Sequence, residues 1–179
     1  MLLYCKDGVV IATHDDNQVV PAASYGAGVV VIPVTSLAGL SRVGDAPSPG
    51  QPDTRRYAMP EITPTILITH AAFARYMLEI GGIVVSGKPV ATDRGSQGQI
   101  AGALLTVQAN PSATIQWKYA DGSWAALNAA EITAIAEATS AHVQACFGAE
   151  KQLHDQINAT PPTITTAAQI DSAFAAITA

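Results

Sequence analysis

The spacing of hydrophobic and polar residues changes along the chain, from strand-like runs near the start to helical periods later. LLYCK and VVIATHD flank Asp7-Gly8, a dipeptide that supplies the positive φ angles of a two-residue type I′ hairpin turn. β-branched residues return in GAGVVVIPV, where Pro33 lacks an amide hydrogen and therefore favours a strand end or a sheet edge. These runs predict a small N-terminal β-sheet.

The segment 35–64 fits neither pattern, because it has no periodic apolar face. It contains Gly, Ser and Asp together with Pro47, Pro49, Pro52, Pro60 and Pro64. Loops of this length are uncommon inside a compact domain and are usually functional arms or disordered segments. We therefore predict a proline-rich arm, and we expect contacts with neighbouring chains to order it.

A helical period begins in ILITHAAFARYMLEI, which starts with β-branched residues and then places four apolar residues on one face, namely Phe73, Tyr76, Met77 and Ile80. Gly81-Gly82 ends this period as a C-cap would. The pattern predicts a helix over about 69–80. The residues that follow, IVVSGKPV, are typical of a short hairpin or a bent strand.

The stretch 92–127 predicts a helix followed by a β-hairpin. Thr92 or Asp93 can cap the helix, Asn110-Pro111 ends it, and an apolar stripe recurs at helical spacing in Ile100, Leu104 and Val107. In the hairpin, Asp121-Gly122 forms the turn, and the apolar residues on its two sides are Ile115, Trp117, Tyr119, Trp124 and Leu127. We expect one face of this hairpin to be strongly aromatic.

A long helix follows, because Asn128 and Glu131 have the spacing of a capping box and an apolar face then continues for about eight turns. That face consists of Ile132, Ile135, Thr139, Val143, Cys146, Phe147, Leu153 and Ile157. A helix of this length outruns the shorter helix on which it would pack, which would leave Leu153 and Ile157 exposed in a lone chain. We expect its C-terminal turns to dock on another subunit.

Beyond Thr160-Pro161-Pro162, Thr166 and Gln169 form a second capping pair for a last short helix, whose apolar face is Ile170, Phe174 and Ile177. Together the elements predict the α+β class. We expect an N-terminal β-rich domain over 1–81, with the arm at about 35–64, and a C-terminal domain over 82–179. The second domain combines a helix, a β-hairpin, a long helix and a short C-terminal helix.

The composition adds a reason to expect partners. Of the 179 residues, 49% are hydrophobic and only 13% are charged, about half the usual charged share. Few charges are available to cover the surface, so we expect other protein to cover part of it. The alternative is an alanine-rich surface that needs no such cover. We predict a homo-oligomer, with a trimer as one form, or a hetero-assembly.

Charge and hydropathy argue against several classes of partner. A net charge of -5, with no basic cluster longer than Arg55-Arg56, argues against nucleic-acid binding. The apolar runs are much shorter than the roughly 20 residues that span a bilayer. Met1 is followed by no signal-peptide pattern, so we expect neither membrane insertion nor export by a signal peptide. Cys5 and Cys146 lack CxxC spacing and predict buried or free thiols.

Two spacings resemble known binding motifs. Gly82 to Lys88 fits GxxxxGK, but Pro89 stands where a phosphate-binding loop carries Ser or Thr, and a turn explains these residues better. His142 and Cys146 lie one helical turn apart, as a metal-binding pair can, yet Glu150 would complete only a weak trio.

The remaining polar groups suggest no catalysis. His14-Asp15-Asp16 fits an acidic turn better than a cation site, and His70 is most simply a half-buried histidine with satisfied hydrogen bonds. The chain has no GxSxG serine, no cysteine with a base partner and no dinucleotide-binding loop. We predict that the protein is not an enzyme and holds no cofactor or metal.

Exposed apolar side chains are the candidate interaction surface. Trp117, Tyr119 and Trp124 could stack on a sugar, although covering the helices of their own unit is the simpler reading. We assign the surface to these aromatics and to three residues of the long helix, Phe147, Leu153 and Ile157.

Three stretches of the C-terminal half carry a family resemblance: GGIVVSGKPVATDRGSQGQIAGAL, IQWKYADGSWAALNAAEI and AIAEATSAHVQACFGAEKQLHDQI. The segment 82–159 resembles a domain-of-unknown-function family found in tailed-phage and prophage tail genes, often beside or within tail-fibre genes. The resemblance implies a virion protein of the tail tip or baseplate, made in the host cytoplasm, that attaches or supports fibres or receptor-binding proteins. It brings no catalytic residues. A fibre-assembly chaperone and the receptor-binding module itself are the alternatives.

Overall fold

The computed structural model describes residues 2–6, 9–14, 29–33, 42–43, 56–57 and 61–177. Within them the protein is a mixed α+β structure with small antiparallel sheets and four helices. The predicted fold class is therefore confirmed. By their contacts the residues form two compact units, the first with Met1–Ala74 and Gln152–Ala176 and the second with Arg75–Lys151 and Ile177–Ala179.

The first unit contains the predicted N-terminal sheet. Its strands are β1 (Leu2–Lys6), β2 (Val9–His14) and β3 (Val30–Pro33), in the antiparallel order β2-β1-β3. As predicted, Pro33 ends an edge strand, while the turn at Asp7-Gly8 lies outside the described residues. Three consecutive residues of the central strand are fully buried, Leu3, Tyr4 and Cys5. Because successive side chains point to opposite faces, both faces of β1 are covered.

The described part of the predicted arm includes a short antiparallel ladder. Its strands are β4 (Arg42–Val43) and β5 (Arg56–Tyr57), which pair through Arg42 with Tyr57 and Val43 with Arg56. Most of the arm, including the prolines before Pro64, lies outside the described residues. The expectation that neighbouring chains order it stays a prediction.

Helix α1 (Pro64–Glu79) begins earlier than the predicted start near residue 69. The reason is a start signal that the β-branched residues obscured. The Thr63 hydroxyl accepts a hydrogen bond from the Ile66 amide at 3.3 Å, and Pro64 occupies the first helical position, where its missing N–H costs nothing.

In the second unit, a tight hairpin joins β6 (Ile83–Val85) to β7 (Lys88–Val90). The φ angles of Ser86 and Gly87 are 50° and 75°, the two positive values that a type I′ turn requires. The GxxxxGK spacing therefore belongs to a hairpin. Lys88 lies in a strand and opens no helix, so the turn interpretation is confirmed.

Helix α2 (Arg94–Ala109) starts at the predicted cap. Asp93 Oδ1 accepts the amides of Gly95 and Ser96 at 3.0 and 3.1 Å, which satisfies two donors of the first turn. The helix ends at Asn110, as predicted. It is followed by the hairpin of β8 (Ile115–Lys118) and β9 (Trp124–Leu127).

Helix α3 (Ala129–Ile157) has 29 residues and rises about 44 Å. Its predicted capping box is present. The backbone N–H of Asn128 donates to Glu131 Oε2 at 2.8 Å, and the backbone N–H of Glu131 donates to Asn128 Oδ1 at 3.1 Å. Helix α4 (Ala167–Ala175) starts with the second predicted box, formed by Thr166 and Gln169. Both start sites follow from local sequence alone.

Within the described residues, an apolar core of the second unit joins α2, both hairpins and α3. Six buried residues form it: Val90, Ile100, Val107, Leu127, Ile132 and Ile135. The boundary between the two contact units falls inside α1 and again inside α3. The division into domains at 81 and 82 stays a prediction about folding units, since contacts group the residues near α4 with the N-terminal segment.

Candidate functional site

The register of the β8–β9 hairpin separates its aromatic residues. Trp117 lies opposite Ala125, and Lys118 lies opposite Trp124, so Trp117 and Trp124 point to different faces. The expectation that they share one aromatic face is wrong. Successive residues of a strand point to opposite faces. The return strand can therefore place only every second residue on the inner face, and Trp124 falls on the other face.

Each face of the hairpin has its own role. Trp117 and Tyr119 pack against the core of the second unit, so the simpler reading holds for these two residues. Trp124 is 66% exposed on the outer face. The ammonium group of Lys118 lies 5.7 Å from the centroid of the Trp124 ring, within the range of a cation–π contact.

A groove of about 430 Å³ runs between α2 and the hairpin. Helix α2 contributes Gln99, Ala103 and Thr106, while the hairpin contributes all four residues of β8 and the Trp124 side chain. Its volume lies within the range of small-ligand pockets. Its lining residues include Gln99 and Thr106 from α2 and the two tryptophans of the hairpin, and Lys118 is the single charged residue among them. This groove is the candidate site, and all of it lies in the second unit.

A buried charge cluster lies elsewhere in the same unit. The guanidinium of Arg75 contacts a carboxylate oxygen of Glu79 and donates through Nε to Glu150 Oε2 at 2.8 Å. Glu79 is only 3% exposed. The second carboxylate oxygen of Glu79 accepts a hydrogen bond from the side-chain amide of Gln97 at 3.2 Å, so both carboxylate oxygens have partners. The cluster brings together α1, α2 and α3.

Thr92 is fully buried beside this cluster. Its hydroxyl donates to the Glu79 carbonyl at 2.6 Å and accepts the Gly82 amide at 2.9 Å. These bonds satisfy backbone groups where α1 ends, which would otherwise lack partners. Thr92 therefore caps the C-terminal end of α1, whereas Asp93 caps the N-terminal end of α2.

The three candidate residues of α3 are in different surroundings. Phe147 is 43% exposed, and the Arg75 guanidinium carbon lies 4.4 Å from its ring centroid. Leu153 and Ile157 are 2% and 3% exposed. The expectation that these two remain uncovered in a lone chain is wrong, because the chain itself buries them. They belong to the first unit, together with α4 and the N-terminal sheet.

The His142–Cys146 pair is not arranged as a metal site. His142 Nε2 lies 3.0 Å from the Leu78 carbonyl oxygen, which can only accept, so this nitrogen carries the proton. The same nitrogen is the one 3.8 Å from Cys146 Sγ. Burial, followed by the nearby charge of Glu79, raises the pKa of the Cys146 thiol. The His142 nitrogen that faces Cys146 is therefore engaged with a backbone carbonyl, and burial favours the protonated form of the Cys146 thiol.

A second buried histidine lies in the first unit. His70 is 1% exposed, its Nδ1 accepts the Val31 amide at 3.3 Å, and its Nε2 lies 2.8 Å from Asp171 Oδ1. A neutral ring with the proton on Nε2 satisfies both bonds. The predicted satisfied histidine is present, although it is fully rather than half buried.

Across the part of the chain that the structure describes, no group of three or more His, Cys, Asp or Glu side chains is placed to hold a metal ion. Asp15 and Asp16, with the side chain of His14, lie outside that part. Among the described helices, none combines the length and the apolar character needed to cross a membrane.

Sequence reasoning missed the charge cluster and half of the groove. Arg75 and Glu79 have the i, i+4 spacing of a helical ion pair, which was the available signal. The approach of Glu150 and Gln97 has no signal in local sequence, because each comes from a different helix. Gln99 and Thr106 are likewise ordinary polar helix residues until β8 lies beside them.

The region 65–177 matches the family model described as Domain of unknown function (DUF4376). The match covers more than half of the chain. The chain belongs to the DUF4376 family. A comparison with curated proteins gave no match, and neither did a comparison with solved structures.

The DUF4376 region extends beyond the segment 82–159 in both directions. It includes most of α1 and all of α4, and therefore contains the groove, the charge cluster and both capping boxes. The resemblance to a domain-of-unknown-function family is thus confirmed for the C-terminal part. The family description carries no tail role.

Proposed function

We propose that the protein is a non-enzymatic structural protein of a phage tail tip or baseplate, which attaches or supports tail fibres or receptor-binding proteins through protein contacts. The resemblance of TDRGSQ, the W-x-x-x-D-G hairpin and HVQACF to tail-gene proteins supports the setting. The homo- or hetero-oligomeric state predicted from composition is part of the same proposal.

The observation that carries a docking role is the exposure of large apolar side chains in the second unit. Val84, Leu105, Trp124 and Phe147 are 73%, 67%, 66% and 43% exposed. Single exposed apolar residues are common, but tryptophan is costly to leave in water and is enriched where proteins bind each other. Trp124 also lines the groove beside α2, which favours a binding role over incidental exposure.

The capping bonds and the charge cluster of the second unit suit a docking role. Helix α2 is held at its start by Asp93, α3 is held at its start by Asn128 and Glu131, and the Arg75 cluster joins three helices. A surface on such a frame loses little conformational freedom when a partner binds, so more of the contact energy is expressed as affinity.

Mass spectrometry of purified particles tests the proposal. We expect the protein in tail fractions at a fixed ratio to known tail subunits, and its absence from finished particles would overturn the virion role. A protein that is found with fibres in infected cells but is missing from particles would instead fit a fibre-assembly chaperone.

The groove also supports a second candidate, a receptor-binding module that contacts a host glycan. An exposed indole beside amide and hydroxyl groups is suited to stack on a sugar ring and to bond its hydroxyls. Purified recombinant protein would then block phage adsorption in a concentration-dependent way. The Trp124→Ala variant would lose this effect, and unchanged adsorption at saturating protein would refute the candidate.

A further inference from the structure

Strand β8 has a free edge. It pairs with β9 alone among the described strands. The Tyr119 amide donates to the Ser123 carbonyl at 2.9 Å, and hydrogen-bonded pairs alternate along an antiparallel ladder. The ladder bonds therefore fall on the odd-numbered residues of β8, and the backbone N–H and C=O groups of Gln116 and Lys118 point away from β9.

Ala120, in the turn that follows β8, shows that a backbone partner can approach on this side of the hairpin. The Ala120 amide points in the same outward direction and donates to the Pro89 carbonyl of β7 at 3.0 Å. No equivalent partner reaches the outward groups of Gln116 and Lys118 from the described residues. This side of the hairpin is thus paired just beyond β8 and open at Lys118 and Gln116.

The open part of the edge lies in the groove. All four residues of β8 line it, including both inward and outward side chains, which happens when a groove follows the side of a strand rather than one of its faces. Helix α2 forms the opposite wall. A groove between a strand edge and a helix is the geometry in which an extended peptide adds a strand to a sheet.

The charge of the groove selects among peptides. Lys118 is its single charged lining residue, and no carboxylate lines it. The chain as a whole has a net charge of -5, so this position is positive against a negative background. Trp124 rises beside Lys118 with most of its ring in solvent, where it can cover an apolar side chain of an incoming strand.

We propose that the groove binds an extended, acidic segment of a partner protein, which pairs with the free edge of β8 as a third strand. The proposal rests on the docking role proposed above and names its site and the chemistry of the partner. Outward backbone groups of Gln116 and Lys118 provide affinity, Lys118 binds a carboxylate, and Trp124 covers an apolar side chain.

Selection from a defined peptide pool is the direct test. The full chain is immobilised and offered heptapeptides that carry aspartate at alternate positions and random residues elsewhere, with a lysine-based pool as the charge control. We expect enrichment from the aspartate pool alone. Bound peptide should slow hydrogen exchange at the amides of Gln116 and Lys118, and enrichment without this protection would overturn strand addition.

An N-methyl scan of the enriched peptide distinguishes strand pairing from other binding modes. Only every second amide of an added strand faces β8. Methylation at alternate positions should therefore weaken binding by about tenfold per lost hydrogen bond, while the positions between should change affinity little. A scan without a two-residue period would count against the proposal.

Two variants of Gln116 form a matched pair. Gln116→Ala and Gln116→Pro both lose the side chain, but only proline removes the outward N–H, and proline is tolerated where a strand amide faces away from the ladder. We expect Gln116→Pro to bind about tenfold more weakly than Gln116→Ala. Hydrogen exchange of the Trp117 amide confirms that the hairpin is intact in both variants, and equal affinities would overturn the proposal.

Charge reversal and sugar competition complete the test. Lys118→Glu should exchange the preference of the groove from the aspartate pool to the lysine pool. If neither pool is enriched while oligosaccharides quench Trp124 fluorescence, the groove binds glycans and the peptide proposal fails. If the protein is present in particles but Gln116→Pro assembles normally, this inference fails while the docking role stands.

Discussion

Replacing Arg75 by methionine should destabilise the second unit by roughly 3–5 kcal/mol, because it leaves the Glu79 carboxylate buried without a cation. Glu79 is 3% exposed and contacts the Arg75 guanidinium directly. Opposite charges about 4 Å apart attract by about 4 kcal/mol at an effective dielectric constant of 20. The stacking of Arg75 on Phe147 adds about 1 kcal/mol.

Glu150→Gln is the matched control, because it removes the other carboxylate that Arg75 contacts. The Glu150 side chain is 26% exposed, so water screens its ion pair and its loss should cost about 1 kcal/mol or less. Glu79→Gln keeps an oxygen for the Gln97 amide and removes the buried charge. Arg75→Met should therefore cost at least about 2 kcal/mol less in the Glu79→Gln background.

Denaturant unfolding followed by tryptophan fluorescence measures these changes. Both tryptophans of the chain lie in the second unit, so the signal reports on the unit that contains the cluster. A loss under about 1 kcal/mol at pH 7, or an equal loss in Glu150→Gln, would refute the reasoning.

Three further predictions concern α2, a turn and the thiols. Asp93→Ala should cost about 1 kcal/mol in denaturant unfolding and Asp93→Asn less, because asparagine keeps a cap acceptor and loses only the charge. Equal losses in the two Asp93 variants would contradict the capping role. Hydrogen bonds from Ser96 lower the pKa of Asp93, so the contribution of its charge to stability is present above the ordinary pKa of 3.8 and is lost as the pH falls through the lower pKa of the folded state. Ser86→Asn should raise stability by about 0.5 kcal/mol in the same assay, because asparagine tolerates the positive φ angle of a type I′ turn better than serine, whereas Ser86→Val should lower it. Burial raises the pKa of Cys5 to about 11 and also raises that of Cys146, so neither thiol should react with Ellman's reagent at pH 8 until the protein is unfolded, and rapid native labelling of either would show this to be wrong.

The elements that sequence predicted best are those with a local signal at each end. Asp93 caps α2, Asn128 and Glu131 form a capping box, and Asp121-Gly122 turns the hairpin, each within a few residues of its target. Such bonds form between neighbours in the chain, so they need no knowledge of the fold. Helix α1 starts earlier than predicted because β-branched residues weaken the helical pattern, although Thr63 and Pro64 mark the start.

Surface and partner assignments were less predictable, because they depend on what lies beside an element. The apolar period of α3 was correct, yet it could not show that the chain would bury Leu153 and Ile157 or leave Phe147 partly exposed beside Arg75. Trp124 lies on the face opposite to the predicted one, although the alternation of side chains along the strand indicates this.

The amino-acid sequence alone determined the α+β class, the order of the helices and hairpins, and most of their ends, since these follow from periodicity and from bonds between near neighbours. Tertiary structure alone decided the buried cluster of Arg75, Glu79 and Glu150 and the groove between α2 and the open edge of β8. Both depend on residues far apart in the chain, whose approach is set by the packing of whole elements around a shared core.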